Sequence, residues 1–326
     1  MLRTQSSLKL TAIIALVCLI AGAVAPALIT QRTRPLSFNE DVSVTMGPTT
    51  AQVRDSLDEE LESRELEIRR HSTTAKVQQD DAAAEATSQI EVLLDDEVAA
   101  TIDQHSVLNR ESTYPMAGID ATQEFSIRGA TQTSEIEGIN YFFPSQTEQR
   151  SYPYFDSLMQ RAEPIDYLTD EEIDGIPTYS FHQERTGVNV SSLFDDQLFP
   201  ARAGEVYSDA ELARYDLDEN QDVNLKPYYD FKRTIWVEPT TGRVLNTHED
   251  IQVYLAQSPA GEPSEMRTLF AAEYSWDEES TRRAMDKVQN TVMAIRVAAV
   301  IGWALAIFGG ILLLLCAWRF SRQRAS

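Results

Sequence analysis

Cysteine is nearly missing from this chain: of 326 residues only Cys18 and Cys316 are cysteines, and both fall inside apolar runs. The stretch between them therefore has no disulfide framework and no thiolate metal site. Its stability must come from an ordinary core, which a segment of this length can bury. Histidine is scarce too. His71, His105, His182 and His248 are the full set, and no pair has HxxxH or HExxH spacing, so no zinc site is signalled. His182 and His248 sit at solvent-facing positions of expected strands. A GxSxG elbow, a phosphate-cradling glycine loop and a dinucleotide fingerprint are all absent.

Acid is missing from both ends. No Asp or Glu precedes Glu40 or follows Asp286, although 51 occur in the chain. Seven cations lie near the ends: Arg3, Lys9, Arg32, Arg296, Arg319, Arg322 and Arg324. Set aside from the net charge of -23, they leave -30 on the stretch between. Such a stretch repels nucleic acid and anionic headgroups, so no nucleic-acid partner is expected. With so many carboxylates, any pair at acid/base spacing arises by chance. No catalytic residue is assigned, and the reading leans away from an enzyme.

What is present begins with two apolar segments. Leu10 to Ile29 is twenty residues without a charge, enough at about 1.5 Å per residue to cross about 30 Å of hydrocarbon. A signal peptide competes with this reading, because Arg3 and Lys9 form a basic start and Ala23-Val24-Ala25 resembles a cleavage site. Pro26, just after that cut, favours a retained anchor. Val297 to Trp318 is the second segment, followed at once by Arg319, Arg322 and Arg324. The positive-inside rule puts that tail, and with two spans the N-terminus, in the cytoplasm. The expected layout is a cytoplasmic start (1–9), a first span (10–29), an extracytoplasmic domain with a juxtamembrane helix (30–296), a second span (297–318) and a basic tail (319–326). Ala298, Gly302, Ala306 and Gly310 recur every fourth residue, a stripe along which another backbone can approach. Its partner is the first helix, a second copy or another membrane protein.

Between the spans, period-two alternation predicts a β-rich α+β domain of mainly antiparallel sheet. The clearest hairpin has Ile235 and Val237 before Pro239-Thr240-Thr241-Gly242, with Leu245, Thr247, Glu249, Ile251 and Val253 after it. Further strands are expected near Glu65–Ile68, Ile90–Leu94, Tyr141–Phe143 and Arg267–Tyr274. Residues 54–65 read as a solvated helix or turn, and Gln79 to Ala86 as an acidic loop. Ser275 and Glu278 have capping-box spacing and open a run without Pro or Gly that leads into the second span.

Two local patterns carry possible chemistry. Asp216, Asp218, Asn220 and Asp222 place oxygen side chains at every second position, as a calcium loop does. Gln221 replaces the glycine of such a loop, however, and Pro227 stands where a closing Glu belongs, so an acidic loop is the alternative. Calcium is the one cofactor the sequence offers. The aromatic run containing Phe142, Phe143, Tyr152, Tyr154 and Phe155 reads either as core or as an apolar groove for a lipid chain.

The same residues carry a family resemblance. YFFPSQTEQRSYPYFD, DGIPTYSFHQE, RTIWVEPTTGRVL and LFAAEYSWDEEST, in that order between two apolar ends, resemble the actinobacterial porin PorA-like family, long catalogued as a domain of unknown function. The resemblance runs from about Tyr141 to the end and is diffuse before that. It implies a double-pass inner-membrane protein of a mycolic-acid bacterium and brings no catalytic residues. The layout is also similar to that of class B scavenger receptors, whose domains enclose a lipid tunnel. Two spans make no pore wall without oligomerisation, so porin activity is not expected. The expectation is a non-enzymatic envelope protein whose outer domain binds or relays a lipid or lipoglycan, or assists envelope biogenesis. The alternative is a structural or regulatory partner of a membrane complex.

Overall fold

A computed structural model describes residues 2–33, 35–78, 80–194 and 197–324. The chain divides into two units, one of Met1–Pro35 with Asp286–Ser326 and one of Leu36–Met285. The second unit is a sheet. Its strands are β1 (Asp41–Val53), β2 (Glu62–Lys76), β3 (Ala83–Leu94), β4 (Glu97–Asn109), β5 (Thr122–Ile127), β6 (Ala130–Glu135), β7 (Tyr152–Asp156), β8 (Arg161–Ile173), β9 (Ile176–Asn189), β10 (Phe199–Arg202), β11 (Asp222–Glu238), β12 (Arg243–Ala256) and β13 (Thr268–Ser275). All pairings between them are antiparallel, in the spatial order β6-β5-β4-β3-β2-β1-β13-β12-β11-β9-β8-β7, with β10 alongside β11. Two short helices, α2 (Ala203–Val206) and α3 (Asp209–Tyr215), lie between β10 and β11.

Period-two alternation decides which face each residue takes. In β2, Leu66 and Ile68 are buried while Glu65 and Arg69 are exposed; in β11, Phe231, Ile235 and Val237 are buried while Lys232 is exposed. One face of the sheet is therefore apolar, and an open sheet must cover it. It does so by curling. Phe125 of β5, near one end, and Tyr152 and Tyr154 of β7, at the other, belong to one core with Leu66, Phe181 and Ile235. Side chains tie the two ends where no backbone ladder does: Gln123 Nε2 of β5 donates to the Ser157 carbonyl at 2.9 Å, just past β7. The result is a half-barrel whose bulges, such as those at Met46/Thr49 and Val92/Leu93, add local bend.

The outer face is polar. Glu65, Glu85, Asp103, Asp166, Glu184 and Asp250 are all exposed on it.

The predicted β11–β12 hairpin is present, closed as expected at Gly242, whose φ is +71°. Glu238 locks the turn by accepting from the Thr240 and Thr241 amides at 3.0 and 2.8 Å. Other expectations shift. Tyr141–Phe143 is not a strand: Tyr141 has φ +70°, and the segment is held by the Phe143 amide on the Gly242 carbonyl. Ala83 to Ala86, read as loop, starts β3; Gln79 lies outside the described residues. Residues 54–65 are turns and the start of β2, not helix. The final helix, α4 (Glu278–Arg324), is capped by Asp277, which accepts from the Ser280 amide at 2.6 Å, rather than by Ser275, which ends β13.

The α+β class and the two-span anchor are corrected. Helix within Leu36–Met285 is slight, so that unit is a β fold. Among the described residues one helix, across Glu278–Arg319, is long and apolar enough to cross a membrane. Among the described residues the N-terminal helix α1 (Leu2–Thr33) contributes a shorter apolar helical stretch, Thr11–Ala25.

Candidate functional site

Within the first unit, α1 meets α4 through glycine. A Cβ on Gly22 would lie 2.7 Å from the Gly302 carbonyl oxygen and 2.9 Å from the Ala306 amide; one on Gly309 would lie 2.8 Å from the Ala15 carbonyl. Backbone contact this close is open only to glycine. Of the stripe read from sequence, Ala298 is buried, while Gly302 and Ala306 face Gly22. Gly310 faces open space, and its neighbour Gly309 takes the contact. The reason is helical period: four-residue steps drift against 3.6 residues per turn, so the face continues at 309. Away from this contact, Val300, Trp303 and Leu314 of α4 are each more than two-thirds exposed, an apolar surface that suits lipid.

Within the second unit the half-barrel encloses a cavity of about 420 Å³. Its long wall is aliphatic, from residues such as Ile68, Ile90, Ile102 and Ile251. One end is charged. Arg233 lies there, 7% exposed, with Nη2 donating to Asp156 Oδ2 at 2.7 Å and to Glu249 Oε2 at 2.8 Å. Burial works against that cation, but Glu249 and Asp156 outweigh it and hold Arg233 firmly protonated. Asp156 is fully buried and also accepts from the Leu158 and Met159 amides at 2.9 and 2.7 Å. Tyr229 and Tyr274 line the same end; burial first, then the nearby carboxylates, push both phenols well up and keep them as neutral donors.

Arg70 also lines this end, and it has no carboxylate within ion-pair distance among the described residues. Its hydrogen bonds go to neutral oxygens: Ser88 at 3.1 Å, Gln104 at 3.3 Å, Ser72 and Asn140 at 3.4 Å. Its guanidinium stacks 4.3 Å from the Tyr141 ring centroid. Burial lowers the Arg70 pKa and pushes the Tyr141 phenol up to about 12.

The aromatic residues proposed from sequence divide. Tyr154 and Phe155 line the cavity. Phe143 and Tyr152 instead fill the core against Phe181, with ring centroids 4.9 to 5.7 Å apart, and Phe142 sits edge-on to Tyr141 at 5.0 Å. The four calcium-loop candidates lie between the end of α3 and the start of β11. Asp216 caps α3 in a left-handed conformation, Asp218 accepts from the Asn220 amide at 2.9 Å, and Asp222 opens β11. No group of three His, Cys, Asp or Glu able to hold a metal occurs among the described residues. Arg70, Arg233 and Glu249 were passed over as site residues, yet alternation marks them: Leu66, Ile68 and Arg70 share a face, as do Phe231, Arg233 and Ile235, and Glu249, Ile251 and Val253. A charge at an inward position was the available signal.

Comparison with known proteins adds what geometry does not. The family model described as porin PorA matches residues 9–318. A porin PorA of Corynebacterium resistens is 29% identical over 270 residues, covering 67% of this chain and 65% of that protein. A porin PorA of Corynebacterium amycolatum is 26% identical over 245 residues, covering 65% and 62%. The chain thus spans somewhat under two-thirds of the length of these relatives. Their shared name overturns the expectation against porin activity, and with it the lipid- or lipoglycan-relay function, the lipid-binding description and the label of unknown function. The double-pass inner-membrane placement falls with them, and among the described residues one helix is long and apolar enough to be a span.

Proposed function

The chain belongs to the porin PorA family, and from that premise we propose that several copies together form a cation-preferring pore in a membrane of the cell envelope. The observation that carries the reading is the polarity of the sheet. Its outer face bears charges such as Glu65, Glu85, Asp103 and Asp166. On a lipid-facing strand an Arg or Lys costs about 2–4 kcal/mol at mid-bilayer and an Asp or Glu somewhat less, so a face bearing many charges belongs in water and not in hydrocarbon. The bilayer is then crossed by α4, and one helix encloses nothing; the wall needs several. The exposed apolar surface of α4 supports that role. The polyanionic unit that α4 continues from raises the local cation concentration and repels anions, which sets the preference.

The test is reconstitution of the full chain into planar lipid bilayers under a KCl gradient. Discrete conductance steps that rise steeply with protein concentration, with a reversal potential of the sign for potassium, are expected. A silent membrane at every concentration overturns the pore, and a chloride-signed potential overturns the role of the acidic unit.

A further inference from the structure

We infer that the half-barrel cavity is a binding site for a small organic anion with an apolar body, a carboxylate or sulfonate on a hydrocarbon or aromatic frame, its charged end seated on Arg70. This is independent of conduction by the membrane-crossing part.

The inference starts from an imbalance of partners. Arg233 already holds two carboxylates on one nitrogen, while Arg70, at the same end of the same cavity, holds only neutral acceptors at 3.1 to 3.4 Å. A half-buried guanidinium with only neutral acceptors keeps capacity for an anion, which would make the stronger, charge-assisted bond. The Arg233 Nε is a buried donor with no partner. Arg70 and Arg233 both line a chamber of about 420 Å³ whose other lining is mostly aliphatic and aromatic, so a ligand that satisfies the arginine must also fill apolar space.

Where the cavity meets solvent, Arg64 and Arg128 line it with side chains 30% and 43% exposed, alongside Asp55 and Glu97, so the entrance is mixed in charge, and Arg64 pairs with Asp95 at 2.7 Å. Arg128 is held there by Asp55 at 2.7 Å, a surface pair that water and salt loosen readily. A bare inorganic anion gains nothing from the aliphatic wall, and a neutral hydrocarbon leaves Arg70 unpaired. The wall and the cation together select the amphipathic monoanion.

The probe is 2-naphthoate, compared with its neutral counterpart 2-naphthalenemethanol, titrated calorimetrically into the full chain in lipid nanodiscs with empty nanodiscs subtracted. One saturable naphthoate site per chain is expected. Arg70→Gln should weaken naphthoate at least tenfold and leave the alcohol unchanged, whereas Arg70→Lys, which keeps the charge, should lose far less. Ala100→Phe, which projects a ring into the chamber from β4, should abolish binding of both without lowering the melting temperature. Absence of saturable binding to the unaltered chain overturns the site; equal losses of acid and alcohol on Arg70→Gln overturn the role of the arginine.

Discussion

At Arg233 two carboxylates converge on one guanidinium nitrogen inside a cavity wall, and removing the cation strands them. Asp156 is fully buried. Arg233→Leu should therefore destabilise the β unit by about 3–5 kcal/mol, the cost of an orphaned buried charge. The double change Arg233→Leu with Asp156→Leu should recover part of the loss in a urea titration of the full chain. Additive losses would show that the pair is not coupled. Glu163 offers the pH counterpart. The Arg185 guanidinium hydrogen-bonded to it holds its carboxyl below the ordinary value of 4.5, with Arg161 helping at 2.8 Å. A depressed folded value stabilises above the ordinary carboxylate pKa and ceases to do so as pH falls through the folded one. Arg185→Gln should raise the Glu163 midpoint part of the way toward 4.5 in a carboxyl-carbon NMR titration; an unmoved midpoint refutes the assignment.

Elements were more legible than sites. Alternation revealed β11 and β12, and Gly242 revealed their turn, because both signals are local. A Cβ at Gly242 would lie 2.3 Å from the Phe143 carbonyl, and φ there is +71°. Gly242→Ala should lower the melting temperature of the full chain clearly, whereas Gly129→Ala, equally positive in φ at +81° but with open space around it, should lower it less. Tyr141–Phe143 was misread because its composition suits a strand while its position against that turn does not. The cavity was illegible for a different reason. Its charged end draws Arg70, Asp156, Arg233 and Glu249 from four places in the chain, and only the curl of the sheet brings them together. The helices show the same limit. A four-residue stripe is visible in sequence, but the switch from Gly310 to Gly309 depends on where α1 lies. Gly22→Leu should cost about 1–3 kcal/mol by overpacking the α1–α4 contact, and Gly310→Ala close to nothing. Unfolding by SDS titration in detergent micelles measures both, and equal effects would refute the contact as described.

At the scale of the whole molecule the governing quantity is charge. An acidic excess of -30 between cationic ends makes any cation preference a screened, long-range effect. The Debye length falls from about 10 Å at 0.1 M salt to about 3 Å at 1 M. The potassium-to-chloride permeability ratio of reconstituted channels should therefore decline steeply across that range. A ratio indifferent to salt would move selectivity from the acidic surface to a narrow filter.

The pairing of the first strand with the last has a consequence for biosynthesis. β1 finds β2 at once, but its other edge waits for β13: Gln52 lies against Ala271 and Val53 against Phe270, with Met46 bridging to Trp276. More than two hundred residues must leave the ribosome before that seam can close, and loop closure over such a distance is slow. An edge left open so long invites pairing with a neighbouring nascent chain. β1 is poorly suited to that error, because Pro48 and the bulge between Met46 and Thr49 interrupt its ladder. The seam is completed only as α4 begins, so the sheet closes and the long apolar helix emerges in the same short interval of translation.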